Sequence, residues 1–324
     1  MKVGYPSMGS YTRLLSELSP HLGWELITPK ITPQRTIELS GHYLNEMMCY
    51  PAKFTLGSFI ECCKQGADHL LMFDSCGKCR LTTYWILQQR ALNKLGFNAT
   101  VHPIRLGLHT PGDIQAIDPS IPSWKAWHVF ISFLRKALSL DTELYYDIPK
   151  ETTLVRIGLV GEIFSVLEEQ VNRNLIQKVE KMGALVHNSL PLSYFIFKGL
   201  YNRGWMKRRG MDRQTWLFAR EQAHKYFPKE IGGHGNESII HTIYYALNGF
   251  DGVIHVLPFG CMPESTIAPI LDDISQDYNI PVMRLIFDVH TAEGGLDTRL
   301  EAFVDIMKRR KDGRKNKIKV SDGV

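Results

Sequence analysis

Cysteine is scarce in this chain, with six in 324 residues. That is too few for a disulfide scaffold, and the opening MKVGYPSMGSYTRLL has no unbroken apolar stretch of the kind a secretory signal needs. Long hydrophobic runs are missing as well. The longest, such as 253–258, have the length of a strand and fall far short of a membrane span. The expectation is a soluble, cytoplasmic protein whose cysteines are thiols, metal ligands or catalytic groups. Charge of one sign is not in large excess: the formal balance is +5, and part of it lies in the tail KRRKDGRKNKIK. No aromatic residues interleave those charges, so the stacking half of a single-strand binding surface is absent and nucleic acid is a weak reading beside a solvated helix end. A complete G-x-G-x-x-G with its later acid is missing, and so is a Walker A sequence. The chain is not expected to bind ATP itself.

What is present is a repeated alternation. Strand-like runs at 2–5, 24–28, 69–73 and 99–104 alternate with helical patterns at 12–18, 54–64 and 83–95, the last with Gly96 as its C-cap. A looser region at 110–122 precedes a helix over 124–138. The polar stretch 139–153, interrupted by Pro149, marks a domain boundary near residue 152. The pattern then restarts: strand 155–160, loop 161–165, helix 168–182, strand 184–187 and a long helical stretch 193–227. After the glycine-rich loop 232–235 come a helix at 237–247, a strand at 252–257, a helix, a strand at 282–287 and a final helix at 300–310. This is the βαβ signature of parallel sheets. The expected fold is α/β, with two Rossmann-like domains (1–152 and 153–324) facing a cleft and a helical insertion in the second. Ligands in such folds collect beyond the carboxyl ends of the strands.

The cysteines fall at informative places. Cys76 and Cys79, in FDSCGKCRLTTY, follow a strand, as does Cys261 in VLPFGCMPE, while Cys49 in MMCYPAK sits in a proline-bounded loop before a helix. All four occupy loops able to face one cleft between domains. Cys62 and Cys63, adjacent in the helical FIECCKQGAD, read as helix packing. For the loop cysteines several readings stand together. A C-x-x-C at a helix start lowers a thiolate pKa and suits a redox pair. Structural zinc wants four soft ligands, and an iron–sulfur cluster also takes thiolates from distant loops. Incidental thiols remain the bland alternative, and spacing alone does not choose.

Six segments occur in an order that carries a resemblance: YPAKF at 50–54, GKCR at 77–80, GLVGEIF at 158–164, GGHGNESI at 232–239, PFGCMPES at 258–265 and DTRLEAFVDIM at 297–307. Together they resemble the acyl-CoA dehydratase activase-related proteins, of the superfamily of 2-hydroxyacyl-CoA dehydratases, benzoyl-CoA reductases and double-cubane cluster proteins. The resemblance covers nearly the whole chain. It implies Rossmann-like domains around an oxygen-sensitive [4Fe–4S] cluster held by three thiolates, here Cys49, Cys79 and Cys261, with Cys76 as a candidate fourth ligand. It also implies an ATP-dependent iron–sulfur activator of the sugar-kinase/actin-like fold as electron donor, and a paralogous sister subunit or a homo-oligomer. The implied activity is reduction or dehydration of a small substrate, an acyl-CoA being one candidate, or electron transfer to the sister subunit. Two other readings are carried beside it: a non-catalytic cluster carrier or scaffold, and a zinc-stabilised binding protein.

The residues around these cysteines fit such chemistry. Gly77 and Gly260 would let backbone N–H groups approach sulfide closely, and Lys53 and Arg80 would offset the charge of a thiolate-bound cluster, unless they are ordinary surface or helix-start charges. His234, in GGHGNES, is a candidate proton donor or substrate holder; its alternative is a capping loop with Asn236 as N-cap. Glu264 is a candidate proton relay or a first-turn carboxylate favoured by the helix dipole. Asp288, His290 and Glu293 lie where DVHTAEGG departs from the family pattern at Val289, and 298–303 reads as a capped helix start.

Overall fold

The computed structural model describes residues 1–30, 32–74, 79–145, 152–194, 196–197, 212–288 and 290–321. Among the described residues are two four-stranded parallel sheets, each flanked by helices. The chain divides into two compact units that are not two consecutive stretches. The first holds Met1–Thr142, Pro191–Met206 and Pro258–Met262; the second holds Glu143–Leu190, Lys207–Leu257 and Pro263–Val324. The expected boundary near residue 152 would put the Cys261 loop with the second half, whereas Pro258–Met262 groups with the first unit.

The first sheet has the order β2-β1-β3-β4, with β1 at Lys2–Gly4, β2 at Glu25–Ile27, β3 at His69–Asp74 and β4 at Thr100–Arg105. Its pleat sends successive side chains to opposite faces. Leu70, Met72 and Val101 join the core beneath α3 (Tyr50–Lys64) and α4 (Tyr84–Lys94), where Leu56, Phe59, Cys62 and Leu92 are buried. Leu71, Phe73 and Ile104 point the other way, towards α1 (Thr12–Leu18), α5 (Thr110–Ile117) and α6 (Ser123–Tyr145). Both faces are therefore covered, which is why these strands read as near-continuous apolar runs. A further helix, α2 (Pro33–Ser40), lies against α3.

The second sheet repeats the topology in the order β6-β5-β7-β8, from β5 (Val155–Gly161), β6 (Ala184–Asn188), β7 (Gly252–Pro258) and β8 (Val282–Phe287). β7 is buried at every position, as a central strand should be. One core gathers α10 (Arg213–Tyr226), α11 (Gly235–Leu247) and α12 (Met262–Asp277) through Trp216, Ile243, Tyr245 and Ile267. α13 (Glu293–Ser321) brings Phe303 and Met307 against Gly252.

Several local expectations are corrected. Residues 110–117 are helical rather than loose, because Pro111 is well suited to a first turn and Thr110 ties the entry back through Arg105 O at 2.8 Å. Loop 161–165 contains a short helix, α7 (Ile163–Leu167), capped by Glu162. The single helix read over 168–182 is two, α8 (Glu169–Asn172) and α9 (Leu175–Lys181), separated by left-handed Arg173 and Asn174. Buried Asn172 organises that break, donating to Ser165 O and Val166 O and accepting from Leu175 N. The last helix begins at Glu293 rather than near 298–300: Leu296, Leu300 and Val304 are buried at helical spacing, so packing overrides the Gly294–Gly295 pair. Of the stretch 193–227, residues 195 and 198–211 lie outside the described residues. Among the described residues no helix is long and apolar enough to cross a membrane.

Candidate functional site

Three cysteines stand at the same kind of place in the chain. Cys49, in extended conformation (φ −62°, ψ 148°), immediately precedes α3. Cys79 (φ −79°, ψ 144°) immediately precedes a single turn of 3-10 helix, Arg80–Thr83. Cys261 immediately precedes α12. Pro51 and Pro263 help start the two α-helices, since a first-turn residue needs no N–H for the helix ladder. At such positions a helix presents unsatisfied N–H groups and the positive end of its dipole. Neither Cys49 nor Cys79 spends its side chain on capping its own helix.

Gly260 ties these places together within the first unit. Its backbone is left-handed (φ 76°), and a Cβ there would stand 3.0 Å from Met47 O and 3.1 Å from Cys49 Cα and N. A side chain there would be strained by the backbone and crowded by those neighbours, so glycine is favoured on both counts. Next to it, Tyr50 N–H donates to Phe259 O at 3.0 Å. From the other side the Arg80 guanidinium donates to Gly260 O. The segment leading to Cys261 is thus pinned both by the residue after Cys49 and by the residue after Cys79.

Tyr84, buried in the first turn of α4, touches Cys49 Sγ with its hydroxyl. Burial raises its pKa far above the ordinary phenol value, the charges of Cys49 and Cys79 raise it further, and Arg80 opposes them. The phenol therefore stays protonated and able to donate to sulfur. Tyr84 escaped the sequence reading because it continues a helical apolar pattern; the available signal was a tyrosine five residues beyond Cys79. Lys53 Nζ donates to Glu46 O at 2.9 Å and so braces the loop ahead of Cys49. Cys76 and Gly77 lie outside the described residues. Among the described residues no three His, Cys, Asp or Glu side chains gather around a single-ion position. Cys62 is fully buried in the core of α3, and burial pushes its thiol up to about 12; Cys63 is raised to about 11 for the same reason.

A second group lies in the second unit, at the carboxyl ends of β5 and β7, the two strands between which the sheet order reverses. Fully buried Glu264, in the first turn of α12, accepts from Ser238 Oγ at 3.0 Å and pairs through Oε2 with His255 Nε2 at 2.8 Å. Glu264 Oε1 and His255 Nδ1 have no hydrogen-bond partner among the described residues. Gly161 (φ 139°) lets β5 close on β7, for a Cβ there would fall 2.1 Å from Val256 O. The chain then turns into Glu162, which accepts from Phe164 N, Ser165 N and Ser165 Oγ at 2.8–3.0 Å. Burial raises the Glu162 pKa, those donors lower it, and the nearby Glu264 charge adds to the rise. His255 was not among the expected site residues. Its signal was an ionisable residue inside the otherwise apolar strand GVIHVLP.

His234 is buried at the residue before α11, and its carbonyl accepts from Ser238 N at 2.8 Å. The expected N-cap, Asn236, is instead inside α11, accepting from Ile231 N at 2.8 Å and donating to Lys229 O at 3.1 Å. Asp288 closes a turn before α13, accepting from His290 N at 2.8 Å and Thr291 Oγ1 at 3.0 Å, and Glu293 is exposed. Val289 lies outside the described residues. No family model matches this chain, and none of the curated proteins matches it.

Proposed function

We propose that this protein is an iron–sulfur electron-transfer component of the 2-hydroxyacyl-CoA dehydratase and benzoyl-CoA reductase superfamily, related to the dehydratase activase-related proteins. The ordered motifs suggest the family. The observation that carries the reading is the Gly260 junction, where the segment leading to Cys261 is held from one side by the chain at Cys49 and from the other by Arg80, the neighbour of Cys79. A cluster takes one thiolate on each of several irons, so its ligands stand further apart than those of a single ion. Three helix-start cysteines with a guanidinium and a phenol among them suit that demand in donor chemistry and in charge.

A bound [4Fe–4S] group would supply one-electron chemistry at low potential. The chain's own residues have definable tasks around it. Cys49, Cys79 and Cys261 would hold it, with Cys76 as candidate fourth ligand. Tyr84 O–H would donate to the Cys49 sulfur and Arg80 would offset negative charge, both favouring the more reduced, more negative state. Gly260 keeps the backbone close. Glu264, three residues after Cys261, would share a proton with His255 for charge balance, and His234 would serve a polar substrate group. With no Walker A sequence in the chain, the electrons would come from a separate ATP-dependent activator. The reduced protein would then reduce or dehydrate a small substrate, or pass the electron to a sister subunit or second copy.

Anaerobic purification with iron, sulfide and zinc analysis tests this, on the parent and on Cys49→Ala, Cys79→Ala and Cys261→Ala. The expected result is about four irons with matching sulfide per chain, lost in each variant, and Cys76→Ala then separates a closed from an open site. Zinc in place of iron would favour the zinc-stabilised reading. A cluster that transfers readily to an apo-acceptor, with no reduction by an activator, would favour the carrier. No iron after anaerobic reconstitution would sink the redox proposal.

A further inference from the structure

The first unit contains a pocket of about 100 Å³, partly open to solvent, on the face of its sheet opposite α3 and α4. Its walls are almost wholly carbon, with Leu71 and Phe73 of β3 on one side and Leu22, Trp24, Ile114 and Phe130 among the other residues lining it. The polar side-chain atoms of Trp24, Tyr5 and Thr110 are engaged elsewhere. Trp24 Nε1 donates to Asp118 at 3.2 Å, Tyr5 OH bonds Thr28 Oγ1 at 3.1 Å, and Thr110 Oγ1 donates to Arg105 O at 2.8 Å. Water entering from the open side meets almost no polar surface in the lining and is therefore poorly held there.

From this we infer that the cavity is a binding site for one small, uncharged, apolar molecule, a hydrocarbon or simple aromatic of up to about six carbon atoms. Size sets the upper limit: an apolar cavity of about 150 Å³ takes benzene or xenon, and this pocket, at about 100 Å³, has no more room than that. The lining sets the chemistry. A charged or strongly hydrogen-bonding ligand would lose its hydration and gain no partner, whereas an apolar one restores the dispersion contacts that the void forfeits. The five aromatic rings Tyr5, Trp24, Phe73, Phe130 and Phe133 offer edges and faces to a flat ligand. This site is independent of the cysteines and stands whether or not the chain carries iron. Phe73 does place it one residue from Asp74, the end of the strand that leads to Cys79.

The test is thermal unfolding of the full chain with benzene, with its polar isostere pyridine, and with xenon under pressure. Two filling variants, Val129→Phe and Ile114→Phe, each grow a lining residue into the space. Benzene and xenon should raise the parent Tm saturably, by about 2–4 °C at tenfold excess over Kd. Pyridine should not. The shift should vanish in whichever filling variant keeps the parent's circular dichroism spectrum, with its unliganded Tm at or above the parent's. Fluorobenzene should show a saturable change in its ¹⁹F shift with the parent alone. The inference is overturned by no benzene shift up to aqueous solubility, by pyridine acting equally well, or by an undiminished shift in a folded filling variant.

Discussion

Gly260 shows how much can depend on one hydrogen atom in place of a methyl group. At that position the chain is left-handed, and the space a Cβ needs belongs to Met47 O and the Cys49 backbone. Gly260→Ala should therefore cost about 1–3 kcal/mol in urea denaturation, and under the proposed function should lower iron retention more than Gly294→Ala, where nothing crowds the Cβ. Equal effects of the two substitutions would show that the close approach is unimportant. The motif PFGCMPES drew attention to this glycine, but not to its partner. That Cys49 is what it touches depends on residues more than 200 positions apart meeting, which no spacing rule encodes. Tyr84 and His255 were hidden for a related reason: an aromatic in a helix and a histidine in a strand look like core until their polar atoms are given partners.

At the scale of the element, α3 does two jobs with one sequence. Its start carries Cys49, and its inward face buries Cys62 among Leu56, Phe59 and Leu70. Burial holds the Cys62 thiol neutral up to about 12, against an ordinary value near 9.0. A folded-state pKa above the unfolded one means that the native state keeps its proton longer. This contribution to stability is complete below about pH 9 and is lost as pH rises towards 12. Urea denaturation from pH 8 to 11 should accordingly show the parent losing stability faster than Cys62→Ala, by up to about 1.4 kcal/mol per pH unit. Parallel pH profiles would mean that the thiol ionises without unfolding. Element identity was largely legible, because apolar strands and amphipathic helices carry their periods in the chain. Boundaries were less so. α13 starts across two glycines and the 168–182 helix breaks at Asn172–Asn174, both through buried contacts that outweigh local propensity.

At the scale of the molecule, the first unit is completed by chain that returns to it. Tyr11 OH and Asp141 bond each other, Leu192 N donates to Tyr11 at 3.1 Å and Ser193 N to Asp141 at 2.9 Å. Residues 258–262 add the bonds from Tyr50 and Arg80. Polypeptides 1–152 and 153–324 made together should copurify, while 1–152 made alone should unfold without a cooperative transition. A cooperatively folded 1–152, with no affinity for the other half, would refute this. The sequence by itself determined the βαβ rhythm, the parallel sheets and the placement of cysteines in loops beyond strands, because hydrophobic period and turn chemistry are local. Only the tertiary structure decided which residues meet: Gly260 with Cys49, Tyr84 with its thiol, Glu264 with His255, and the unfilled space behind Phe73. Those meetings follow from the packing of side chains far apart in the chain, where shape and burial choose the partner and sequence distance carries no information.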